Sequence, residues 1–191
     1  MTHPVAPADN TLPHEDRTFG GRRLYVDLVP RSCFFTNARS HLSRPDWVRL
    51  REFVYARAHH RCEICGAARE AGRRGRLDAH ERWRFDEPTR TQHLVRLLAL
   101  CEPCHSATHY GLAELHGAGE QAFAHLRRVN NWTESETRQH IIDAFTEWEA
   151  RNSIEWTLDL ALLADAGFTI ICSDSSANRA RSAEQPTTAR P

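Results

Sequence analysis

The chain has no lysine: all 25 of its basic residues are arginine, balanced by 25 Asp and Glu to a formal net charge of zero. Zero balance removes any overall attraction to a polyanion, so a nucleic-acid partner has to be argued from local charge. The fixed cations are all planar guanidinia, which suit bidentate contact with phosphate. Also missing is an apolar run long enough for a secretory core or a membrane span, and the first twenty residues, MTHPVAPADNTLPHEDRTFG, are polar and proline-containing. The expectation is a soluble, cytoplasmic protein with no membrane partner. Internal repeats are lacking, which argues against a solenoid.

A length of 191 residues suits one compact domain. It is expected over residues 19–172, between polar tails at 1–18 and 173–191 that cannot bury enough apolar surface to offset their chain entropy. Charge is unevenly spread. Residues 44–96 hold thirteen Arg against eight acids, whereas residues 112–166 hold four Arg against ten acids.

Alternation of Leu24, Val26 and Leu28 with Tyr25, Asp27 and Val29 predicts a short strand. Ser43 and Pro45 open a helix with Trp47, Leu50 and Val54 on one face. The segment LDAHERWRF, a proline-containing turn and the run LVRLLALC predict a hairpin, with Trp83 and Phe85 as hairpin-packing residues. Pro103 starts a helix carrying Cys104, His105 and His109 to about Gly111 or Gly117. Helical patterns follow at 119–129 and 133–151, the second capped by Thr133 and Glu136. Two short strands about Gly167 complete the ordered part.

Six cysteines in a reducing compartment are poor material for disulfides. Four form two Cys-x-x-Cys pairs, Cys62/Cys65 and Cys101/Cys104, the spacing that presents thiolates to a tetrahedral zinc. Cys33 and Cys172, each beside an apolar neighbour, read as small buried hydrophobes. His105 and His109, four apart on a helix, project from one face and can clamp a second metal.

The order of these parts resembles the HNH endonuclease family in its zinc-containing, four-cysteine form. The resemblance rests on the first knuckle, the hairpin bearing Asp78-Ala79-His80-Glu81, the segment Leu100-Cys101-Glu102-Pro103-Cys104-His105 and then His109. It spans about residues 60–111, leaving 112–172 as a helical extension. It implies an α+β fold, with a treble-clef ββα-metal core of the His-Me finger type, flanking α-helices, and metal-dependent hydrolysis of DNA. By position, His80 resembles the general base, and His105 and His109 resemble the ligands of a catalytic divalent ion such as Mg²⁺, Mn²⁺ or Ni²⁺. Asp78 or Glu81 would add a carboxylate, and strand alternation puts Asp78 on the face of His80 and Glu81 on that of Ala79.

Arg69, Arg73, Arg74 and Arg76 before the strand, with Arg82 and Arg84 on it, are candidate phosphate contacts. Two departures support an alternative, a catalytically inactive zinc module of the same fold that binds nucleic acid or a protein. Ala79 stands where the family carries a metal-binding residue, and Val95 and Arg96 stand where its middle Asn falls. Gln92 or His93 can replace that Asn only in a longer hairpin. The acidic helices of the extension offer a surface to a protein partner.

Overall fold

The computed structural model describes residues 10–68 and 77–171. Arg69, Arg73, Arg74, Arg76, Cys172 and the tail expected over 173–191 lie outside the described residues. The fold is a mixed α+β arrangement in which helices surround a three-stranded sheet of order β1-β2-β3.

At its centre is the predicted hairpin, β1 (Leu77–Asp86) paired antiparallel with β2 (Thr91–Cys101). The ladder runs from Leu77 opposite Cys101 to Asp86 opposite Thr91, with an irregularity between Arg82 and Trp83. Leu97, Leu98, Ala99 and Leu100 are fully or almost fully buried, which explains why β2 reads as a continuous apolar run. Strand β3 (Thr157–Asp159) lies parallel to β2, leaving one edge of β1 free within the sheet.

Helix α1 (Arg44–Arg57) begins as predicted: the Ser43 hydroxyl accepts from Asp46 N–H, Pro45 sits in the first turn, and Leu50 and Val54 are buried. Beyond β2 come α2 (Glu102–Thr108), α3 (Tyr110–Leu115), α4 (Gly119–Asn130) and α5 (Glu134–Arg151). The Thr133/Glu136 capping box is present on α5. The single helix expected after Pro103 is broken at His109, whose ψ of 48° is not helical. Between β3 and Gly167 the chain forms a short helix, α6 (Ala161–Asp165), and the second expected strand is reduced to one bridge between Ile170 and Leu42.

Two expectations about the N-terminal region are overturned. Residues 10–18, expected within a disordered tail, pack on the core: Leu12 is buried, and the buried Glu15 carboxylate takes two hydrogen bonds from Arg57, at 2.6 and 2.7 Å, and one from Leu97 N–H at 3.0 Å. The segment Leu24–Val29 alternates as a strand should, but no strand forms there. Its backbone is taken up mainly by side chains, with Asp27 N–H donating to the Thr108 carbonyl at 2.9 Å. Asn130 bonds both polar groups of Leu24, His140 Nε2 accepts from Val26 N–H at 2.9 Å, and Trp148 donates to the Val29 carbonyl. A strap held across α4 and α5 satisfies its backbone without a ladder.

Candidate metal centres

Backbone bonds shape the first cysteine pair. Gly66, at φ +76°, returns its N–H to the Cys62 carbonyl at 2.9 Å, while Cys62 N–H donates to Ala67 O. Glu63 ties this knuckle to β2, its N–H donating to Ala99 O and its carboxylate accepting from Ala99 N–H and Arg17. In the second pair, Cys101 ends β2 and Cys104 stands in the first turn of α2.

The four sulfurs come within 4.8 Å of one another. Cys65 and Cys101 have Sγ atoms 3.5 Å apart, too far for a disulfide at about 2.05 Å. Metal–sulfur bonds of about 2.3 Å place tetrahedral sulfurs roughly 3.8 Å apart, so this spacing fits one ion. Thiolates this close repel unless a cation lies among them. The cluster can therefore hold a metal such as zinc.

Helix α4 reaches the cluster through a residue that spacing did not reveal. His125 Nε2 lies 3.1 Å from Cys104 Sγ, and His125 Nδ1 lies 2.8 Å from an Arg128 nitrogen. A guanidinium only donates, so Nδ1 accepts and the ring proton sits on Nε2, directed at the sulfur. An N–H aimed at a thiolate favours its charged form.

A second cluster joins the hairpin to the helices. His105 and His109 have Nε2 atoms 3.2 Å apart, near the roughly 3.0–3.4 Å expected of two imidazoles on one ion about 2.1 Å from each. His80 faces them from β1, its ring centroid 5.3 Å from that of His105 and 5.0 Å from that of His109. One nitrogen from each of the three falls within 4.8 Å of the others. The Asp78 carboxylate lies 3.5 Å from His105 Nδ1, on the opposite ring atom from the shared Nε2. That is the position from which a carboxylate orients a ligating histidine.

His80 is 4 % exposed, and neither of its nitrogens has a hydrogen-bond partner. Burial, with its two neighbouring rings, holds its pKa well below the ordinary value; burial also lowers His105, against the opposing pull of Asp78, and brings His109 to about 4. Neutral rings with free lone pairs are the form that binds metal or accepts a proton.

The other expected site residues divide. Glu81 accepts from Ala38 N–H on the opposite face of β1, and burial pushes its carboxyl up to about 7. Arg82, expected to meet phosphate, is 4 % exposed and donates to the Phe19, Gly21 and Arg23 carbonyls beside the Tyr25 ring. Arg96 shares two of those carbonyls. Gly20, at φ +69°, lies against this cage where a Cβ would strike the Arg82 guanidinium. Arg84 remains exposed, 3.9 Å from Asp16. Cys33 is buried, as expected.

A cavity of about 930 Å³ adjoins the histidines. Its lining includes His80, His105 and His109, and also Glu81, Trp83 and Gln92 from the other face of the hairpin, so it wraps the free edge of β1.

No family model, curated protein or solved structure matches the chain. Among the described residues, no helix is long and apolar enough to cross a membrane.

Proposed function

We propose that the protein is a metal-dependent HNH-type endonuclease that hydrolyses DNA phosphodiester bonds. In this reading the hairpin, α2 and the first knuckle form a treble-clef ββα-metal core, and the four cysteines bind a structural zinc. The observation that carries it is the meeting of His80 on β1 with His105 and His109, whose Nε2 atoms are 3.2 Å apart.

His105 and His109 would hold the catalytic cation, with Asp78 fixing the His105 ring from behind. A divalent ion such as Mg²⁺, Mn²⁺ or Ni²⁺ there supplies Lewis acidity to the phosphate and the leaving oxygen. His80, kept neutral by burial, accepts the proton of the attacking water. Among the described residues, Arg84 is the candidate phosphate contact that stays at the surface.

Plasmid DNA incubated with each of the three metals tests this directly. Cleavage that disappears in His80→Ala while metal analysis still finds the second ion supports a base role. No cleavage with any metal, or full cleavage by the variant, refutes it. Ala79, buried and without a ligand atom beside His80, favours the second reading of a binding module that has lost catalysis; DNA binding without cleavage is its signature. For zinc, about one equivalent per chain and loss of the fold in Cys104→Ser are expected.

A further inference from the structure

We propose that the cavity beside the histidines is a base pocket: it receives a planar heteroaromatic ring, a nucleobase turned out of its strand, and Gln92 reads the ring's edge. This rests on the nuclease reading above and adds to it where the substrate's base goes.

The walls suit a flat ring. Trp47, Tyr55 and Trp83 line the interior, and Phe34 and Phe35, 51 % and 57 % exposed, form its rim. A volume of about 930 Å³ leaves ample room for a base and its sugar. Stacking on such walls is the usual way a protein holds an unpaired base.

Gln92 supplies the polar element. It lines the cavity, is fully buried, and neither Oε1 nor Nε2 has a hydrogen-bond partner. A buried amide left unpaired destabilises the fold, so a ligand in the adjoining cavity that the Gln92 side chain turns to meet would satisfy it. An amide presents an acceptor beside a donor in one plane, the complement of the paired donors and acceptors on a base edge. A purely apolar ligand would leave both atoms unpaired.

Away from the histidines the lining favours a neutral ring over a phosphate: it holds Asp27, Glu81 and Glu114 against Arg39 and Arg51. A neutral ring is compatible with it. Because the same cavity is lined by His80, His105 and His109, a base lodged in it brings the attached backbone beside those rings.

The test uses the full chain and follows binding of adenosine, guanosine, cytidine and thymidine by isothermal titration calorimetry, with toluene as an apolar comparison. At least one nucleoside should saturate. Gln92→Leu, with an unchanged circular dichroism spectrum, should weaken that nucleoside about tenfold or more and leave toluene unchanged. Phe34→Ala, on the exposed rim, should weaken it several-fold and serves if the Gln92 variant does not fold. Absence of nucleoside binding, equal affinity in Gln92→Leu, or parallel loss of toluene and nucleoside overturns the pocket.

A single-stranded oligonucleotide carrying 2-aminopurine separates the two sources of the ring. Competition between it and the nucleoside supports a base from a strand, whereas nucleoside binding that the oligonucleotide does not disturb overturns it. Cleavage without nucleoside binding removes the pocket and keeps the nuclease. Nucleoside binding without cleavage removes the nuclease and leaves a base-binding site.

Discussion

The cysteine cluster and the histidine cluster flank the same short helix, yet the surrounding chain treats them in opposite ways. On the cysteine side each carboxylate and Cys104 has its partner, Glu63 in Ala99 and Arg17, Glu15 in Arg57, and Cys104 in His125, and what is left over is single guanidinium nitrogens of Arg17, Arg57 and Arg96. Around the histidines polar groups are left open: both His80 nitrogens and the whole Gln92 amide lack partners, and a cavity adjoins them. A cluster whose acceptors are tied to the backbone and to neighbouring side chains is what a structural site requires, and an open one with orphaned lone pairs is what a site for something else requires.

Breaking the closed side should cost most. Glu15→Ala leaves the Arg57 guanidinium buried without its carboxylate, and a loss of about 3–5 kcal/mol is expected in denaturant unfolding. A loss below about 1 kcal/mol would show that the pairing around the cysteines contributes little.

On the open side, burial raises Asp27 from 3.8 to about 6, against the opposing pull of Arg151 and Arg82. The folded chain therefore binds this proton more tightly than the unfolded chain. Stability from Asp27 is fully present below pH 3.8 and is lost as the pH rises through about 6. Asp27→Asn should be more stable at pH 8 by up to about 3 kcal/mol and should flatten the dependence between pH 4 and 6. Unfolding curves at the two ends of that range read the difference, and an unchanged slope would contradict it.

His125→Ala removes the N–H directed at Cys104. Zinc affinity, measured by competition with a chromophoric chelator, should fall about 10–100-fold while the helices persist. His125→Gln, which keeps a donor, should recover part of this. The smallest effect belongs to His80→Leu. Since neither nitrogen is bonded, stability should change by no more than about 1 kcal/mol, whereas the proposed nuclease reading expects any cleavage to disappear. A large loss of stability would move His80 from the open region to the closed one.

Much of this arrangement was legible where local chemistry decides the outcome. Ser43 with Pro45, Thr133 with Glu136 and the two Cys-x-x-Cys pairs act within a few residues, so their structures follow from spacing. The hairpin was legible from two apolar-patterned runs about a proline-containing turn, and its fold-back is what brings His80 to His105 and His109. Failures came where a distant partner decided. Leu24–Val29 has the period of a strand, but period does not distinguish a neighbouring strand from the side chains of Asn130, His140 and Trp148. Polar residues 10–18 resembled a tail because Arg57, the partner of Glu15, lies 42 residues further on. Arg82 read as a phosphate contact, since a charge count carries no sign of the three carbonyls that enclose it. His125 has no motif; it is found only once α4 is packed against α2.

The strap across α4 and α5 has a bearing on synthesis. Its side-chain partners on α4 and just past α5 lie 106 to 121 residues downstream, from Asn130 at Leu24 to Asn152 at Arg31. On a ribosome this stretch emerges early and waits with its peptide groups bound only to water. It can settle only after the last turn of α5 has left the exit tunnel, so the two ends of the domain are completed together, as one late event.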